Sequence, residues 1–182
     1  MTVPEDSEKR GLVAELLRRE ARLIPRVRGV LRLDRTIYDE IEKDPAAIPQ
    51  AFAIVIVTSL LVGIGQGSLG GIFLGMAGAI CVWLAAAALI WAAGTLVVGE
   101  NSDFARLLRC LGFAYAWFAL LLLLELPFIG SIVAWGAVLL ALISTVLATR
   151  QALDITSELA VGLTTGALGA PFLLFWIFAS CS

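Results

Sequence analysis

The sequence predicts an all-α polytopic membrane helix bundle, with five transmembrane helices preceded by an N-terminal amphipathic cytoplasmic helix. Three observations carry that expectation. Of 182 residues 60% are hydrophobic and only 15% charged, whereas soluble domains run near a quarter charged. A water-soluble chain could not cover so much apolar surface with so few polar side chains, so lipid is the solvent for most of it. The charge is also divided: residues 1–50 hold ten basic and ten acidic residues, and the remaining 132 keep only Arg106, Arg109 and Arg150 with Glu100, Asp103, Glu125, Asp154 and Glu158. Finally, residues 51–99 form 49 positions without a charge, enough for two spans of about 20 residues each.

Residues 1–11 are polar, lack an apolar h-region and so do not form a cleavable secretory signal; a short disordered tail is expected. From Leu12 the apolar residues Leu12, Val13, Leu16, Leu17, Leu23, Ile24, Val27, Val30 and Leu31 follow a period near 3.6 with arginines between them, which is the pattern of an amphipathic helix. Pro25 is expected to break or kink it. Between Lys9 and Arg35 nine basic residues stand against three acidic ones, and residues 12–45 read as a basic head. Arg18, Arg19, Arg22, Arg26, Arg28 and Arg32 are its candidate contacts to anionic lipid, each drawn to the surface by roughly 1 kcal/mol. Docking of this helix on the protein's own spans is the alternative. The acidic stretch Asp39, Glu40, Glu42, Asp44 then leads to Asp44-Pro45, a helix start.

Within residues 46–182 the first span is expected at about 49–65. Gly65-Gln66-Gly67-Ser68-Leu69-Gly70-Gly71 turns the chain, and a second span covers about 71–98. Glu100 to Asp103 is a polar break in which Asn101 or Ser102 can cap the next helix while Asp103 complements its dipole. A third span runs over about 107–126, Pro127-Phe128-Ile129-Gly130 turns tightly, and a fourth covers 129–149. After Asp154 to Glu158, also rich in cap residues, a fifth span occupies 159–179, kinked or thinned by Gly162, Gly166, Gly169 and Pro171, or divided at Pro171. With the N-terminus inside, all thirteen basic residues fall on the inner side, as cytoplasmic loops require; the C-terminus is then outside.

Chemistry-bearing residues are few. Histidine is absent, which removes the commonest general base and metal nitrogen ligand, and Cys81, Cys110 and Cys181 lack the paired spacing of a metal or redox site. No enzyme, metal or cofactor is expected. Glu125 is the lone charge between Cys110 and Thr149; it reads as an interfacial carboxylate or as a proton- or cation-handling group of a small transporter. Gly63, Gly67, Gly71 and Gly75 repeat at four-residue spacing, as do Gly162 and Gly166. Such spacing lets backbones approach closely, either inside the bundle or between a partner or a second copy and this chain. The expected partners are therefore the bilayer with its anionic lipids and a membrane protein, with no nucleic acid.

Several strings resemble the Yip-domain family (Ypt/Rab-interacting proteins) in its bacterial form. Leu31-Arg32-Leu33-Asp34-Arg35-Thr36-Ile37-Tyr38-Asp39-Glu40-Ile41 before Asp44-Pro45 is similar to the segment preceding the family's first span. Leu111-Gly112-Phe113-Ala114-Tyr115 resembles its third-span start, while Pro127-Phe128-Ile129-Gly130 and Thr149-Arg150-Gln151-Ala152-Leu153-Asp154 resemble its third turn and fourth-span end. The match covers about 28–179. It implies five spans and a non-catalytic membrane scaffold or accessory subunit, in a bacterial cytoplasmic membrane. Eukaryotic members, which bind prenylated small GTPases, carry an Asp-Leu-Tyr-Gly-Pro type motif; here Asp39-Glu40 follow Tyr38, so no binding residue carries over.

Overall fold

The computed structural model describes residues 22–65, 69–99, 103–125 and 129–180; the side chains of 65, 69, 71, 98, 124, 125 and 170–180 lie outside that description. The expected tail at 1–11, the first part of the amphipathic helix, and Arg18, Arg19 and Gly67 therefore fall outside the described residues.

Within the described residues the head forms two helices rather than one. Helix α1 covers 22–30 and passes through Pro25 without a break. It ends where Leu33 takes a left-handed φ of 56° and the amides of Leu33 and Asp34 return to the carbonyls of Val30 and Gly29 at 2.9 and 3.0 Å, a Schellman ending. Asp34 then caps α2 (Arg35–Lys43), accepting the Thr36 amide. Gly29 sits where α1 meets α2, and a Cβ there would come within 2.3 Å of Ile37 Cγ1.

Helices α3 (Ala47–Gly65) and α4 (Leu69–Val98) follow, close to their expected bounds. Asp44 accepts the Ala46 amide at 2.9 Å just ahead of α3. Asp103 caps α5 (Phe104–Ala114) through the Ala105 amide, correcting the assignment of that cap to Asn101 or Ser102. The third span is not one α-helix: after α5 it continues as a 3-10 segment over Tyr115–Glu125, although 3-10 runs beyond three or four residues are uncommon. Helix α6 (Gly130–Ala152) ends with a second Schellman arrangement at Asp154, φ 51°, whose amide reaches the Gln151 carbonyl. Helix α7 (Ser157–Ser180) runs undivided past Pro171.

Among the described residues four helical segments, starting at Ala47, Ile72, Phe104 and Gly130, are long and apolar enough to cross a membrane. α3, α4 and α6 up to Thr149 carry no charge and no amphipathic stripe, whereas Arg106 and Arg109 give α5 one, so over most of the bundle no polar face marks the side that meets lipid. Size does. The buried residues of α3 include Ala47, Gln50, Ala51, Ile54, Val55, Thr58 and Ser59, and those of α6 include Ala137, Ala141, Ser144, Ala148, Thr149 and Ala152. Each set follows helical spacing, and its small members let neighbouring backbones approach. Phe52, Val57, Phe73, Leu74, Ile132, Trp135 and Leu139 point outward.

Candidate functional site

Contacts between distant segments gather the polar residues at one end of the bundle. Trp91 near the end of α4 packs edge-on against Phe104 at the start of α5, Gly94 meets Leu153, and Thr164 donates to Thr149 across α6 and α7. Because α2 is bonded to α5 and α6 at this same end, Arg106, Arg109 and Asp154 stand close to Glu42 of the head.

The centre of that assembly is Arg26, which is only 2% exposed. Its guanidinium donates to Glu40 Oε1 at 2.8 and 3.0 Å, to Asp44 Oδ2 at 2.7 Å and to Gln50 Oε1 at 2.8 Å. One planar fork thus ties α1 to α2, to the start of α3 and to the turn between them, in the geometry for which arginine is suited. Burial alone would favour loss of the Arg26 proton, but the hydrogen bonds to Asp44 and Glu40 outweigh it and raise the pKa. Burial likewise pushes Asp44 up, and the Arg26 and Ala46 hydrogen bonds reverse this, holding it below the ordinary carboxylate value.

Helix α2 is locked to the bundle by a second set of contacts. The buried Tyr38 hydroxyl is hydrogen-bonded to Ser144 of α6, and burial pushes the phenol upward in pKa, so it stays protonated. Gln151 donates to Asp39 at 3.2 Å. Arg109, buried in α5, donates to the Glu42 carbonyl at 2.6 Å, placing a cation at the carbonyl end of α2, where the helix dipole favours it; its Nε has no hydrogen-bond partner among the described residues. Arg106 meets the Glu42 carboxylate at 3.1 Å. Burial first, then the nearby Asp154 charge, raises the pKa of Glu42 against the pull of Arg106.

This arrangement corrects the reading of Arg26 as a lipid contact: the residue is turned inward because three oxygen-bearing side chains satisfy it there. Arg22, Arg28 and Arg32 remain on the exposed surface. The glycines of the four-residue repeats do not share one role within the chain. A Cβ at Gly63 would lie 2.9 Å from the Ile72 Cα, so α3 and α4 touch there, whereas a Cβ at Gly75, Gly162 or Gly166 would meet no described atom within 4 Å. Gly71 lies at the start of α4 with its surroundings outside the described side chains, as are those of Glu125, whose backbone ends the 3-10 segment. Sequence reasoning passed over Gly112, where a Cβ would stand 2.5 Å from that of Ala51, and also the Tyr38–Ser144 and Arg109–Glu42 pairs.

No family model, curated protein or solved structure matches this chain.

Two apolar depressions flank the 3-10 segment. One, of about 230 Å³, lies between α3 and α4 beside Tyr115, Phe118 and Leu121. The other, of about 280 Å³, lies between α1 and α3 beside Ala116 and Ala119. With three residues per turn, Tyr115, Phe118 and Leu121 form one ridge of the segment and Ala116 and Ala119 the next.

Proposed function

We propose that this chain is a five-span, non-catalytic membrane scaffold or accessory subunit of Yip-domain type. Its N-terminus and basic head lie on the cytoplasmic side of a bacterial membrane and its C-terminus on the other. The observation that carries the reading is the gathering of the bundle's described charges at the head end, around a head pinned by buried Arg26. A head fixed in this way leaves Arg22, Arg28 and Arg32 exposed. α7 supplies the fifth span, its backbone helical over Ser157–Ser180 and its sequence apolar beyond Leu159 apart from threonines and a few small residues.

The test is affinity purification of the tagged full chain in nanodiscs, followed by native mass determination and protein mass spectrometry. A stoichiometric membrane-protein partner or a defined homo-oligomer is the expected result. A lone monomer carrying no other protein would overturn the scaffold reading.

A further inference from the structure

The 280 Å³ groove between α1, α3 and the 3-10 segment has an apolar lining that suits one hydrocarbon chain. It falls just below the roughly 300–1,000 Å³ of ordinary ligand pockets. Among the described residues lining it the one polar side chain is Thr58, whose hydroxyl already donates to the Ile54 carbonyl at 2.7 Å, so hydrocarbon can lie there without stranding a polar group. The walls run along α3 from Ala53 to Leu61, about 12 Å at 1.5 Å per residue. That approaches the ~15 Å of hydrocarbon in a single leaflet, half of a ~30 Å core. Ala116 and Ala119 keep the floor low.

Leu23, Val27 and Leu31, from α1 and its end, line the groove on the head side. The neighbouring positions on that helix are Ile24, 75% exposed, and exposed Arg28, one turn apart on the same face. An outward apolar side chain beside an outward guanidinium is the arrangement of a helix lying at the headgroup level. We propose that the groove holds one acyl chain of an anionic phospholipid from the head-side leaflet, with its phosphate against Arg28. The inference rests on the membrane-spanning reading above and adds to it a defined lipid site.

The full chain is reconstituted in phosphatidylcholine vesicles containing, at equal mole fraction in separate samples, phosphatidylglycerol or phosphatidylcholine with a diazirine in one acyl chain. After illumination, adducts are mapped by peptide mass spectrometry. Adducts are expected to concentrate at 53–61 and 116–119, with phosphatidylglycerol exceeding phosphatidylcholine about fivefold, the ratio that ~1 kcal/mol per basic side chain gives. R28E, which replaces the attraction by a like-charge repulsion, is expected to abolish the phosphatidylglycerol preference and turn it towards phosphatidylcholine, and A119F to remove groove adducts from both. Even labelling of all outward faces of α3, α4 and α6, or equal labelling by the two lipids in the unsubstituted chain, would overturn the site. Unchanged preference in R28E, an exposed substitution that leaves the fold intact, would overturn the role of that arginine. Extraction of the chain from the vesicles by alkaline carbonate would instead overturn the membrane-spanning reading, and the site with it.

Discussion

Replacing Arg26 by Met removes the central fork of the head while keeping an unbranched apolar stem. Breaking a buried ion pair by deleting one partner costs ~3–5 kcal/mol, because the remaining charge is stranded. Here Glu40 is 52% and Asp44 22% exposed, so water recovers part of that loss, while Gln50 is left buried without its Arg26 donor. The expected net cost is about 2–3 kcal/mol, or a melting temperature lower by roughly 5–10 °C for a chain of this size. Thermal unfolding in detergent, followed by tryptophan fluorescence, reads this directly. The triple variant R26M/E40Q/D44N leaves no stranded charge and should recover a large part of the loss. R26M melting within about 1 °C of the unsubstituted chain would refute the role given to this cluster.

Three further outcomes are expected. G63A and G112A force α3 away from α4 and α5 and should each cost ~1–3 kcal/mol by overpacking, whereas G75A should stay within about 0.5 kcal/mol; equal effects in the same melting assay would contradict the packing. Glu42 holds its proton more tightly folded than unfolded, so its ionisation should lower stability as pH rises from its ordinary value of 4.5 towards the higher folded value. Asp44 works in the opposite sense, its contribution being lost as pH falls through and below 3.8. E42Q should flatten the first slope, and D154N, which removes the facing carboxylate, should reduce it; a melting profile unaltered by E42Q would exclude the linkage. Y38F deletes the bond to Ser144 and should cost about 1 kcal/mol, and an unchanged melting temperature would show that this bond does not hold α2 to α6.

The positions of the apolar helices were legible because uncharged runs of that length have few alternatives to membrane helices, and the turns were marked by Gly, Pro and capping side chains. The inward faces were marked more by small size than by polarity, although Gln50, Thr58, Ser59, Ser144, Thr149 and Thr164 turn inward. Glycine spacing located Gly63 but gave equal weight to Gly75, Gly162 and Gly166, while the alanine and serine series from Ala137 to Ala152 carried the same small-residue signal and actually faces the core. The head was harder to read. A basic amphipathic pattern gives each arginine the same apparent task, and only the return of α2 across α1 brings Glu40, Asp44 and Gln50 around Arg26. The 3-10 form of Tyr115–Glu125 has no local marker in a run of leucine, alanine and aromatic residues.

The most direct test of the account is the side of the membrane on which each end of the bundle lies. In a variant with Cys81, Cys110 and Cys181 replaced by serine, single cysteines at Thr36, Glu158 and Ser131 are labelled with an impermeant maleimide, using right-side-out and inside-out vesicles. The expected result is that Thr36 and Glu158 react only in inside-out vesicles and Ser131 only in right-side-out ones. Reaction of Ser131 from the same side as Thr36 would contradict a bundle that spans the bilayer with its charges gathered at one face.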